Sequence, residues 1–373
     1  MRAIIACAGS GGHINPGIAI ANTIKKHEPD SDILFIGTDK GMENDLVPKA
    51  GYNLKTIHAG RFHRKLTWYN IRNMIYTVMG ISDAKRVMKT FKPDIVIGTG
   101  GFICPPVMVA AKSKNIPYVL HESNAYPGLS VRAVAKDAKI VFTGFEDTLK
   151  RLPEGTNGLF TGTPAKFDMD NMMRLNKEKC KEELGIDKYS QGKKIIFVTG
   201  GSQGAIRFNE VIVNMILKYM PQDLYFVIAT GPNNYEDVIK KVQDVKDIEK
   251  VLKVEKFIYS MDKMYKASDL LITRAGALTV TELSIARRPA ILIPLPTAAE
   301  NHQYYNAKSM ENNEAGIVIE ENVLNEDLLY DKIKEVVSDD EKLILMGDNA
   351  AKLYKPNVDE EIYEKIKEVV SEK

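Results

Sequence analysis

Twice in this chain a short apolar run ends in a glycine loop that opens a helix. That repeat limits the fold more than any other feature. Arg2–Cys7 leads into Gly9-Ser10-Gly11-Gly12-His13 and a helix over Asn15–Lys26, with Pro16 in its first turn. Lys194–Thr199 leads into Gly200-Gly201-Ser202-Gln203-Gly204 and a helix over Ala205–Tyr219. Apolar strands without polar alternation, each followed by a helix, predict parallel sheets covered on both faces. At 373 residues the chain is too long for one ordinary core. The expected architecture is therefore α/β, with two doubly wound Rossmann-like domains facing each other across a cleft. Thr161-Gly162-Thr163-Pro164 reads as the crossing, giving domains at 1–163 and 164–354. Residues 355–373 form a last helix expected to pack back on the first domain.

The first glycine loop is not a dinucleotide fingerprint. With Gly9 and Gly11 as the first two glycines, the third position falls on Ile14. Further strands are expected at Ile33–Ile36, Leu54–His58, Asp94–Gly98, Tyr118–Leu120, Ile140–Phe142, Leu224–Thr230, Val251–Ile258 and Gly316–Ile319. Lys40–Leu46 carries one helical turn at most. Net charge of +2 argues against nucleic acid as a partner, and Cys7, Cys104 and Cys180 show no metal or disulfide spacing. The first residues read as a strand rather than a signal peptide, and no apolar run is long enough to span a bilayer.

Within the second half, Asp269–Thr273 reads as a buried strand and Arg274-Ala275-Gly276-Ala277 as a tight loop. Thr279-Val280-Thr281-Glu282 has the form of a capping box and Pro289 ends the helix, before a strand at Ala290–Pro294. A helix N-terminus there suits phosphate. Glu282, in the first turn, either caps the helix or accepts hydrogen bonds from a ribose diol. Ser202 and the amides of its loop suit an oxyanion, against the plainer reading of a strand-to-helix turn.

In the first half His13, at a helix start, is the acid/base candidate, against the alternative of a buried histidine bonded to backbone. His121 reads as structural, while Glu122 and Asn124 lie nearer the ligand-binding end of their strand and stand beside His13 as catalytic candidates. Residues 60–80 interleave Arg61, Arg64, Lys65 and Arg72 with Phe62, Trp68, Tyr69, Ile71, Met74, Ile75 and Val78. Such a segment either lies in a membrane interface, with Trp68, Ile71 and Ile75 on the lipid side, or packs on the sheet. Asp168-Met169-Asp170 is a D-x-D in a polar connector with too few oxygen ligands nearby to hold a metal.

Six segments together, GSGGHINPGIAIA (9–21), GTGGFICPPVMVA (98–110), HESNAYPGLSVR (121–132), TGGSQGAIRFNE (199–210), RAGALTVTEL (274–283) and NHQYYNA (301–307), resemble the motif series of the MurG family. The resemblance covers nearly the whole chain, in order. It implies a GT-B fold and an inverting transfer of N-acetylglucosamine from UDP-N-acetylglucosamine to lipid I, the undecaprenyl-linked acceptor. The product would be lipid II for peptidoglycan, made without metal or cofactor at the cytoplasmic face of the plasma membrane. It further implies an anionic membrane surface, and cell-wall synthesis proteins, as partners.

Carried over by position, Ser10, Gly11 and Gly12 approach the donor, Asn124 contacts its sugar and Ser202 meets the diphosphate. Ile258 lines the uracil pocket. Ala277, Leu278, Thr279, Val280, Thr281 and Glu282 hold diphosphate and ribose, and Gln303 reaches the N-acetylglucosamine. His13 stands near the acceptor hydroxyl as base. Lys166 stands where arginine is frequent in the family, and Phe102 where tyrosine is common. A sugar transferase acting on diacylglycerol, a UDP-N-acetylglucosamine epimerase and a non-catalytic nucleotide-sugar sensor would share the donor loops. The first two would lack, respectively, the GSGGH and HESNAYPG segments and a reason for the basic–aromatic face.

Overall fold

Strands of five or six apolar residues need cover on both faces, and the chain supplies it twice. The computed structural model describes residues 1–60, 68–201 and 205–372, the side chains of 68–71 excepted. They form two compact units, one of Met1–Lys166 with Asn357–Lys373 and one of Phe167–Pro356.

The first unit holds a seven-stranded sheet of β1 (Arg2–Cys7), β2 (Asp32–Gly37), β3 (Asn53–Thr56), β4 (Ile95–Gly100), β5 (Tyr118–Glu122), β6 (Val141–Thr143) and β7 (Gly158–Phe160). Their order is β3-β2-β1-β4-β5-β6-β7, and every pairing is parallel. The second unit holds β8 (Lys194–Thr199), β9 (Leu224–Ala229), β10 (Leu252–Glu255), β11 (Leu270–Thr273), β12 (Ala290–Leu292) and β13 (Gly316–Val318). These lie in the order β10-β9-β8-β11-β12-β13, again all parallel. The central strands β4 and β9 are buried along their whole length. Ile4, Val96 and Leu120 anchor the first core, and Ile196, Phe226 and Ile272 the second.

Strand order reverses once in each sheet, between β1 and β4 and between β8 and β11. At such a switch point the flanking loops diverge and leave a crevice at the carboxyl ends of the strands. The glycine loop after β1, Gly200 and Gly201 after β8, and the Arg274–Gly276 loop after β11 stand there.

Several boundaries differ from those read in the sequence. The first helix spans Gly11–His27, so the glycines belong to its first turn and Pro16 to its second. A helix at Glu43–Lys49 replaces the single turn expected there. β10 stops at Glu255, leaving Ile258 in the loop beyond, and β7 had no sequence signal strong enough to predict it. Of residues 60–80, those from Trp68 onward begin a helix running to Phe91, and 61–67 lie outside the described residues.

The chain's last helix, Val358–Ser371, packs against Gly11–His27. His27 stacks on Tyr363 with ring centroids 4.3 Å apart, and Glu28 accepts from both the Met1 amino group at 2.8 Å and the Tyr363 hydroxyl at 3.0 Å.

Candidate functional site

The switch point of the first sheet is built around a buried carboxylate that the sequence reading did not single out. Glu43 is fully buried. Its Oε1 accepts from the Thr38 amide at 2.9 Å and hydroxyl at 2.6 Å, and its Oε2 from the Gly9 amide at 3.1 Å. A Cβ on Gly41 would lie 2.0 Å from Oε2, so only glycine leaves the carboxylate its seat. Glu43 thus ties the end of β2 to the loop after β1. No short motif announces it, because the contact depends on two strands being neighbours.

From Gly9 the chain passes through an extended Ser10 into the helix. The amides of Gly11 and Gly12, in the first turn, have no intrahelical acceptor, and they point with the positive end of the helix dipole. His13 follows. Its Nδ1 lies 3.1 Å from the Ala8 carbonyl, which can only accept. Nδ1 therefore carries the hydrogen and Nε2 keeps its lone pair. Burial lowers the imidazole's affinity for a proton, while the Ala8 carbonyl and the Glu43 carboxylate act in the other direction. The ring lies on Gly100, where a Cβ would sit 2.5 Å from Cδ2 at a φ of +117°. Thr99 holds the His13 carbonyl with its hydroxyl at 2.7 Å.

At the end of β5 the expectation for Glu122 is corrected. It is buried rather than at the mouth of the site. Oε1 accepts from the Asn124 amide at 2.9 Å and side-chain amide at 3.0 Å, and Oε2 from the Gly128 amide at 2.8 Å. Both oxygens organise the loop that carries the half-buried Asn124, so Glu122 positions rather than reacts. His121 is fully buried, with Nε2 3.1 Å from the Gly162 carbonyl and the Ser123 hydroxyl 3.3 Å from Nδ1.

In the second sheet the loop after β11 is clamped from two sides. Arg274, almost wholly buried, donates to the Ile293 carbonyl at 3.1 Å and pairs with Glu321 at 2.5 Å. Asn306 donates to the Ala275 carbonyl at 3.0 Å. Neither clamp was foreseen, since Glu321 and Asn306 reach the loop from distant elements. Gly276 then caps a helix over Ala277–Ala286. This shifts the expected start: Thr279 is the third helical residue, and Glu282 sits in the second turn with no capping role. Ala277 and Leu278, ordinary helix formers, extend the helix back to the glycine. The first-turn amides of Ala277, Leu278 and Thr279 lack intrahelical acceptors, whereas the Val280 amide bonds Gly276 at 3.0 Å. The Thr281 hydroxyl is used within the helix, on the Ala277 carbonyl. Half-buried Glu282 receives the Tyr265 hydroxyl on Oε2 at 2.8 Å.

Ile258 is buried beyond β10. Gln303 accepts the Leu295 amide on its side-chain oxygen at 2.9 Å. Lys166 is exposed at the end of the first unit's main segment. Asp168 of the D-x-D caps the helix Met169–Arg174 by accepting the Asn171 amide at 2.7 Å. Ser202 and the side chains of Trp68 and Ile71 lie outside the described residues.

Two parallel sheets, each presenting amide-rich helix starts at its switch point, with a carboxylate one turn into the second of them, define a glycosyltransferase of the GT-B type. Residues 3–143 match the glycosyltransferase family 28 N-terminal domain, and residues 195–362 its C-terminal domain. The UDP-N-acetylglucosamine–N-acetylmuramyl-(pentapeptide) pyrophosphoryl-undecaprenol N-acetylglucosamine transferase of Ruminiclostridium cellulolyticum is 40% identical over 370 residues, covering 99% of this chain and 100% of that one. The enzyme of the same name from Clostridioides difficile is 35% identical, covering 98% and 88%. The chain belongs to this family of N-acetylglucosamine transferases. Among solved structures, Acinetobacter baumannii MurG superposes with a TM-score of 0.79 at 25% identity, covering 98% of this chain and 99% of that one. A Staphylococcus aureus MnaA–UDP complex shares the fold at a TM-score of 0.69 and 16% identity, covering 98% and 96%.

Proposed function

We propose that the protein transfers N-acetylglucosamine from UDP-N-acetylglucosamine to the undecaprenyl-pyrophosphoryl-N-acetylmuramoyl-pentapeptide acceptor, giving lipid II. The observation that carries this reading is the helix start at Ala277, three unpaired amides with Glu282 one turn further on. The amides meet the diphosphate and Glu282 accepts the ribose hydroxyls, with the uracil beside Ile258. Ser202 adds a hydroxyl to the diphosphate. Gln303 and Asn124 contact the transferred sugar.

In the first unit, Nε2 of His13 takes the proton of the acceptor hydroxyl while that oxygen attacks the anomeric carbon. The bond from that carbon to the phosphate oxygen breaks, and configuration inverts in the single displacement. The leaving UDP gains negative charge, which helix N-termini and loop amides stabilise in place. Ser10, Gly11 and Gly12 line the approach, and Lys166 supplies a further cation.

The acceptor's lipid requires a bilayer contact, and the helix Trp68–Phe91 supports one. Met74, Ile75, Val78 and Met79 are exposed on it, as is Val109 on the helix it packs against, and Arg72 and Arg86 flank them. Among the described residues no helix is long and apolar enough to cross a membrane. On this reading the exposed face rests on anionic lipid, peripherally, at the cytoplasmic face of the plasma membrane where the acceptor is held, each cation near the surface adding about 1 kcal/mol.

The test is transfer from labelled UDP-N-acetylglucosamine to a short-chain lipid I analogue, with and without EDTA. Labelled disaccharide lipid under both conditions is the expected result. Donor binding without transfer would overturn the assignment of the acceptor, and product lost only with EDTA would overturn the metal-free displacement.

A further inference from the structure

Tyr265 is a fully buried tyrosine whose hydroxyl reaches a group in the candidate donor site. It lies on the helix Met261–Ala267, which leads into β11 and packs against the helix Ala277–Ala286 that carries Glu282. Phe197 meets the ring edge-on at 6.3 Å, and Phe167 lies at 5.9 Å from it. A ring held between two others has little freedom to turn, so the hydroxyl is delivered to a fixed point. At that point, 2.8 Å away, is Oε2 of Glu282. Burial, and the adjacent carboxylate, raise the hydroxyl's pKa well above its ordinary value, so it remains a donor at neutral pH.

We infer that Tyr265 is a positioning residue that sets the Glu282 carboxylate for a ribose diol and thereby fixes the preference for ribonucleotide over 2′-deoxyribonucleotide donors. The inference rests on the ribose role of Glu282 given above. A glutamate near a helix start has three torsions to settle, and its last one is broad and weakly restrained. Accepting a diol needs the carboxylate plane held at one angle. The hydrogen bond from Tyr265 holds one oxygen and so settles that angle before the nucleotide arrives. Without it the carboxylate samples other planes, and the second hydroxyl of the diol contributes less to binding. The selectivity follows from the same geometry: a site preset to pair a hydroxyl discriminates against an analogue lacking it, because the pairing group is left unmet.

Steady-state kinetics of Tyr265→Phe with UDP-N-acetylglucosamine and its 2′-deoxyuridine counterpart test this. The substitution keeps the ring and removes only the donor. Loss of one hydrogen bond to a charged group predicts a donor KM raised roughly tenfold, with kcat within about twofold of wild type. The ribo over deoxy ratio of kcat/KM falls by a similar factor. In a Glu282→Ala background, Tyr265→Phe adds nothing further, since its effect runs through that carboxylate.

An unchanged KM and ratio in Tyr265→Phe, while Glu282→Ala raises KM, would overturn the inference and leave the donor reading standing. An equal effect of Tyr265→Phe with and without Glu282 would overturn it in favour of ring packing. No effect from either substitution would remove the ribose role of Glu282, and the inference with it. Should Tyr265→Phe not accumulate as folded protein, site-specific 3,5-difluorotyrosine at position 265 keeps the ring and alters only the strength of the hydrogen bond to Glu282, and it must shift the ribo over deoxy ratio. An unchanged ratio there would refute the inference.

Discussion

Mild acid should weaken the first unit through one residue, His121. Its ring is fully buried, its Nε2 hydrogen is given to the Gly162 carbonyl and its Nδ1 accepts from Ser123. A second proton would put charge in a dry site, and desolvation pushes the imidazole pKa down to about 4, against a smaller opposing effect of the Gly162 carbonyl. The unfolded chain takes up that proton near pH 6.5. Between pH 6.5 and 4 the unfolded state therefore binds more protons than the folded one. The contribution is complete above pH 6.5 and is lost as pH falls through that window. A shift of this size at about 1.4 kcal/mol per unit amounts to about 3 kcal/mol. Urea unfolding followed by circular dichroism, run from pH 7.5 to 4 on wild type and His121→Gln, isolates the effect, because other titrating groups cancel in the difference. The wild-type advantage should shrink by about 3 kcal/mol across the window. A difference that stays flat with pH would refute the assignment of a neutral buried ring.

Other perturbations address the two switch points and the exposed face. Gly100→Ala places a Cβ 2.5 Å from the His13 ring, and the resulting displacement should lower kcat by about 10²-fold. Transfer kinetics check this, and wild-type kcat would show that the ring is not held there. Arg274→Met leaves Glu321 unpaired in a buried site and should destabilise the second unit by about 3–5 kcal/mol, measured by urea unfolding. A loss below about 1 kcal/mol would remove the clamp from the account of that loop. Ile75→Ser combined with Val78→Ser should reduce co-sedimentation with anionic liposomes while leaving transfer to a soluble acceptor analogue intact. Undiminished sedimentation would place the lipid contact elsewhere.

The strand–loop–helix rhythm was legible because parallel strands buried on both faces must be apolar throughout, and β1 and β8 match their sequence readings end to end. Helix starts were less legible. Gly11 and Gly12 are poor helix formers, and only the strand before them forces them into the first turn. At Ala277 a capping-box spelling competed with a glycine cap three residues upstream of Thr279, and the glycine prevailed. The polar groups that fix the site, Glu43, Glu321, Asn306 and Tyr265, leave no spacing pattern. Each reaches its partner through tertiary adjacency, which a linear reading does not contain. Glu122 shows the converse: its place in a recognisable segment pointed to chemistry, while its hydrogen bonds point to loop architecture.

The helix Val358–Ser371 completes the first unit only after the whole of the second has been spelled out. During synthesis, at about 5–20 residues per second, the first sheet must wait tens of seconds for the partner of His27 and Glu28 to leave the ribosome. Residues 167–356 can close on themselves meanwhile. The unit begun first is thus closed after the second, and a chain that stops before Val358 leaves His27 and Glu28 without their Tyr363 contacts. The amino-terminal unit becomes complete only in a molecule translated through Ser371.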